Sequence, residues 1–193
     1  MRYYAKPVGI DRLSLEARVL YTAFCLFLLT GGGTSVWFYL DDQLGVTPAD
    51  AARYYLGDAA VATAPQDDDG PALELPGGDL DEVPAAPAGM RFEKPPRQVM
   101  ETFHFHLFSV PVVLLIVGHL FMMCSFSTRT KAWLLALTSV ATLLHLLAPP
   151  LVRFASPSFA ALVFPSALLM GLLWTFLTAW PVVEMWRPPG RAS

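Results

Sequence analysis

The chain reads as an all-α integral membrane protein: an up-down bundle of four transmembrane helices with a long acidic loop between the first and second. Three observations predict this. Apolar residues make up 54% of the 193 residues and charged residues only 15%, a balance outside that of ordinary soluble domains. Four stretches, about 19–40, 99–126, 131–149 and 159–185, reach the roughly 20 mostly apolar residues that a helix needs to cross the hydrocarbon core. The charge that remains is sorted along the chain, with twelve acidic and four basic residues in 41–100.

The first span is expected to be retained rather than cleaved. Its leader mixes Asp11, Arg12, Glu16 and Arg18, no small-x-small site follows Trp37-Phe38-Tyr39, and its apolar run exceeds a signal core. Gly31-Gly32-Gly33 suits close helix approach or a kink. Residues 41–61 predict a short interfacial helix, with Thr47 as cap, Pro48 at the first helical position and a stop at Gly57. Tyr54 and Tyr55 fit a membrane surface. Residues 62–90, rich in Pro, Gly, Ala and acid, predict a flexible acidic insertion with too little apolar surface to offset chain entropy.

The second span carries Pro111, and the fourth carries Pro165 and Pro181, all candidate kinks. Arg153 is expected in the turn between the third and fourth spans. There it would face headgroups, Glu101 or a haem propionate. Trp174, Trp180 and Trp186 step along the fourth span, the last two as an interfacial belt. Glu184 is expected to snorkel or to pair with Arg187. Cys25 and Cys124 lack CxxC spacing and read as buried apolar thiols.

Orientation follows from the basic residues near span ends. Arg2, Lys6, Arg12, Arg18, Arg129, Lys131, Arg187 and Arg191 would share one side, against Arg53, Arg91, Lys94, Arg97 and Arg153 on the other. Both termini are therefore expected in the cytoplasm. The acidic loop argues against nucleic acid as a partner.

All four histidines lie in apolar spans and none in the polar loop. His104, His106 and His119 share ETFHFHLFSVPVVLLIVGHLFMM, and His145 lies in TSVATLLHLLAPP. Imidazole in a bilayer is costly unless it meets a partner, a cavity or a metal. At about 100° per residue, His104 and His106 face opposite ways, whereas His104 and His119 share a face about 22 Å apart. Alternating helix directions bring His145 to the depth of His104 and His106. The expected site is one b-type haem near the outer face, ligated by His145 and His104, with His106 as substitute. His119 has no histidine at its depth; Met122, Met123, Met170 or a second copy of the chain could serve it.

Two alternatives stand beside haem. Glu101, His104 and His145 could hold copper, zinc or iron, since Glu101 and His104 have the i,i+3 spacing of carboxylate metal sites. The same groups could accept protons from a quinol. More plainly, each histidine could bond a hydroxyl or carbonyl of a neighbouring helix, worth about 0.6 kcal/mol. No nucleophile–base pair, phosphate loop or dinucleotide fingerprint is present, so a subunit or carrier is expected rather than a self-contained enzyme. Expected partners are the lipid bilayer, membrane quinone and extracytoplasmic redox proteins, in a homo-oligomer or a larger complex.

The stretches ETFHFHLFSVPVVLLIVGHLF, LAPPLVRFASPSFA and VVEMW, with the Gly45–Gly57 segment, resemble a family of small four-helix bacterial inner-membrane proteins. Their second helix is histidine-rich, of the HxHLF type. The resemblance spans most of the chain outside 62–90. It implies an inner-membrane four-helix protein and matches His104, His106 and His119 to the family-like pattern. It implies no particular activity.

Overall fold

The computed structural model describes residues 9–41, 45–62 and 91–187; all but the first residue of the predicted acidic insertion lies outside them. Five helices follow in order: α1 (Leu15–Asp41), α2 (Pro48–Ala62), α3 (Pro96–Met122), α4 (Thr128–Phe154) and α5 (Ala160–Met185). There is no strand among the described residues. All except α2 are long and apolar enough to cross a membrane. The 27 residues of α3 extend about 40 Å at 1.5 Å per residue, enough for the hydrocarbon core and part of each interface.

Short turns at 123–127 and 155–159 make α3, α4 and α5 antiparallel neighbours. The Ser127 hydroxyl starts α4 by accepting from the Thr130 amide at 3.2 Å. α4 and α5 form the centre, α3 packs against both, and α1 packs chiefly on α5. The remaining surface carries exposed Phe27, Leu115, Trp133 and Leu172, as a lipid-facing surface should. The bundle is thus an all-α up-down membrane fold, as the hydropathy pattern predicts.

Both described ends of the chain lie at one end of the bundle, the terminal end. The turn Ile10–Arg12 plugs it: Ile10 is fully buried, its amide donates to the Met123 carbonyl at 3.1 Å, and it packs with Val117, Phe121, Leu177 and Met185. Trp186 on α5 donates to Thr22 of α1 at 2.9 Å. Glu184 neither snorkels nor pairs with Arg187. It turns inward, 9% exposed, to accept from the Ser125 amide and from Trp180 Nε1, while the Arg187 guanidinium stacks over Trp180.

At the opposite, loop end, α2 docks on α4 and α5 through Ala51, Ala148, Val152, Ala160 and Val163. Thr47 caps α2 by accepting from the Asp50 amide, with Pro48 following, as the sequence predicts. Gly57 interrupts α2 rather than ending it: its φ is 78° and a further turn runs to Ala62. A Cβ there would sit 2.7 Å from the Glu93 amide nitrogen and 2.9 Å from the Arg91 carbonyl oxygen, so only glycine lets the 91–94 segment cross. By contrast, nothing approaches within 4 Å of Gly31, Gly32 or Gly33.

α4 continues through Pro149 and Pro150 to Phe154, five residues past the predicted span. Ala148 and Val152 are buried on either side of the proline pair, and that packing holds the helix together where two amide donors are missing. Arg153 therefore lies in the last turn of α4, not in a loop. It meets Glu93 and the Lys94 carbonyl, both at 3.2 Å, and not Glu101. The second span stops at Met122 instead of 126, because 123–127 is spent on the turn.

Candidate functional site: two imidazoles in the loop-end half

The loop end is a scaffold of polar bonds around α2. Asp58 pairs with Arg53 and accepts from the Arg91 amide at 2.8 Å. The Asp58 amide donates to Arg91 O at 3.0 Å, and the Lys94 amide donates to Tyr55 O at 3.1 Å. The Lys94 ammonium lies 4.3 Å from the centre of the Tyr54 ring. The Arg53 side chain, and then the Arg91 amide, hold the Asp58 carboxyl below its ordinary value. Burial, then Tyr54 and Tyr39, push the Tyr55 phenol upward. These contacts fix the segment that leads into α3, and with it the rotation of α3 against α4.

His106 and His145 sit below this scaffold. His106 is ten residues into α3 and His145 nine residues from the end of α4, so both lie about 14–15 Å from the loop ends of their helices. Nδ1 of His106 is 2.7 Å from the Thr102 carbonyl oxygen, one turn back. A carbonyl only accepts, so Nδ1 carries the proton and Nε2 keeps its lone pair.

His145 is half-buried, with Nδ1 3.1 Å from Ser166 Oγ on α5. The Ser166 hydroxyl donates its one proton to the Val163 carbonyl at 3.1 Å, so toward the ring it accepts. His145 is therefore also protonated on Nδ1 with Nε2 open. The two imidazoles lie within electrostatic range of each other. Two facing helices thus present matched tautomers, and neither Nε2 has a hydrogen bond among the described residues.

The other candidates lie elsewhere. His104 is exposed, its ring edge-on to Phe108 and Phe105 at centroid distances of 5.0 and 6.2 Å. Glu101 accepts from Arg97 Nε at 2.7 Å. Glu101 and His104 share a shallow cleft with Arg97, Met100 and Phe105, and His145 does not line it. His119 is exposed, one turn from the terminal end of α3. Among the described residues no three His, Cys, Asp or Glu side chains gather as a metal would require. Ser166 was not anticipated, although a serine in an otherwise apolar span is a visible signal. The Thr102 carbonyl is a backbone group and leaves no trace in the sequence.

No curated protein and no solved structure matches the chain. Residues 45–192 match the Aq_1264_TM family, described as a transmembrane helical domain. The match begins at the cap of α2 and takes in α3, α4 and α5, the helices that carry both imidazoles and Ser166. The chain belongs to this family of transmembrane helical domains.

Proposed function

We propose that the protein is an electron-transfer subunit of the bacterial inner membrane that binds one b-type haem, with His106 and His145 as axial ligands. The observation that carries this reading is the matched pair of tautomers. Metal-bound histidines characteristically donate their second ring N–H to a carbonyl or other acceptor, which orients the ring and raises its basicity. The Thr102 carbonyl and Ser166 do this for His106 and His145. Haem supplies four of its own ligands, so two imidazoles suffice, whereas copper, zinc or non-haem iron needs three or more protein groups. His106 is preferred over His104, whose ring faces outward.

When bound, the haem iron would cycle by one electron. The chain's own residues hold and orient it, and the apolar walls of α3 and α4 exclude water. In this reading both termini are cytoplasmic, the acidic loop is outside, and the partners are membrane quinone and extracytoplasmic redox proteins.

A second reading, a structural or assembly subunit, is favoured by the His145–Ser166 bond itself, which joins α4 to α5 with or without a ligand. Visible spectroscopy and metal analysis of one detergent-purified sample separate the two. Stoichiometric iron with a bis-histidine haem spectrum is expected. It should be lost in His106→Ala and His145→Ala and kept in His104→Ala. A colourless, iron-free protein overturns the haem reading, and iron or another metal without a haem spectrum points to the direct metal site.

A further inference from the structure

α3 carries a face that nothing in the chain covers. Arg97, Glu101, His104, Phe108, Leu115 and Met122 are all exposed, and they recur at intervals of three, four or seven residues. That spacing is the 3.5-residue repeat of helices packed side by side at a shallow left-handed crossing. The stripe is poorly suited to lipid, because ionisable side chains in spanning helices usually face protein or water. Here the side chains of Arg97 and Glu101 are 88% and 54% exposed, with His104 exposed one turn deeper. α1, exposed to a similar degree, carries no charge on its spanning face between Arg18 and Asp41 and needs only lipid.

We infer that this stripe is the two-fold interface of a homodimer whose axis runs along the membrane normal. An isologous contact requires a self-complementary patch, and the stripe is one. Arg97 and Glu101 stand one turn apart, so a two-fold places the arginine of each copy beside the glutamate of the other. A cleft of about 390 Å³ lined by Arg97, Met100, Glu101, His104 and Phe105 lies next to the protruding ring of Phe108, 67% exposed, a hole and a knob on one surface. An axis along the normal keeps each residue at its own depth. His104 then faces its counterpart, and His119, which has no histidine at its depth within the chain, acquires one. Dimerisation through this face does not depend on haem, whose proposed ligands lie at the α3–α4 contact.

Oxidative cross-linking of single-cysteine additions in native membranes tests the interface, with the buried Cys25 and Cys124 left in place. Phe108→Cys and Leu115→Cys should give dimers. Phe27→Cys on α1 and Trp133→Cys on α4, both more exposed, should not. Arg97→Glu or Glu101→Arg should reduce the Leu115→Cys dimer several-fold, and the double swap should restore it. Monomers at both stripe positions, cross-links at Phe27 or Trp133 instead, or indifference to the charge swaps each overturn the proposal. The haem spectrum is read on the same samples, so failure of one idea is distinguishable from failure of the other.

Discussion

The two ends of the bundle are closed by different chemistry. At the terminal end a buried carboxylate, an aromatic cluster and a lysine satisfy one another. Glu184 accepts from Ser125 and Trp180; Phe121, Phe126, Phe176 and Trp180 pack with centroids 5.2–6.1 Å apart. Lys131 covers the open carbonyls of Met122 and Cys124 at 2.8 and 2.9 Å. Even the Cys124 thiol, pushed up to about 12 by burial and by Glu184, is kept protonated and inert. The loop end is as densely bonded around Gly57, Asp58 and Arg153, yet two imidazole lone pairs below it have no partner. A network that uses all its groups is accounted for by stability alone. One that leaves two matched acceptors at one depth is where a ligand is expected.

The largest test of this contrast is Gly57→Ala. A side chain at φ 78°, with backbone atoms at 2.7 and 2.9 Å, should cost about 2–4 kcal/mol. It should also release α2 together with the 91–94 segment, read by unfolding in mixed detergent and by proteolysis of the loop. A variant as stable as the parent would show that the crossing is not what holds this end.

Glu184→Leu should cost about 2 kcal/mol by stranding the Ser125 and Trp180 donors. It should leave any bound cofactor untouched, because the terminal end is assigned a structural role. Loss of the haem spectrum in that variant would merge the two ends into one functional unit. Ser166→Ala should do the reverse, weakening haem retention about tenfold with little change in unfolding. Unchanged retention would remove Ser166 from the site and return its bond with His145 to plain helix packing.

The smallest effect is set by pH. The Asp58 carboxyl is depressed in the folded state, so its contribution is complete above the ordinary carboxylate value of 3.8. It is lost only as pH falls below that, through the folded value. Docking of α2 should therefore hold from neutrality to about pH 4 and loosen under stronger acid, followed by tyrosine fluorescence or loop proteolysis. Asp58→Asn should flatten that acid limb.

Much of the fold was legible because a bilayer imposes coarse rules. Helix number, alternating direction, the Thr47-Pro48 start of α2 and the special role of Gly57 follow from hydropathy, capping and turn chemistry, all local properties. The failures are equally instructive. Pro149-Pro150 looked like a helix end, but burial of Ala148 and Val152 carries α4 past it, which moves Arg153 from a loop to a helix and from Glu101 to Glu93. Of the candidate site, depth was readable, since residue counting places His145 level with His104 and His106. Which of the two faces α4 was not, because periodicity gives the angle between them and not the rotation of α3 in the bundle.

By itself, the sequence determined that this chain crosses the membrane in four helices and that its imidazoles lie within the spans, because transfer of apolar and polar groups is nearly additive along a chain. Only the tertiary structure decided which ring nitrogens are occupied and which remain open. That choice depends on acceptors one turn or one helix away, the Thr102 carbonyl and the Ser166 hydroxyl, and a tautomer is set by its neighbours in space.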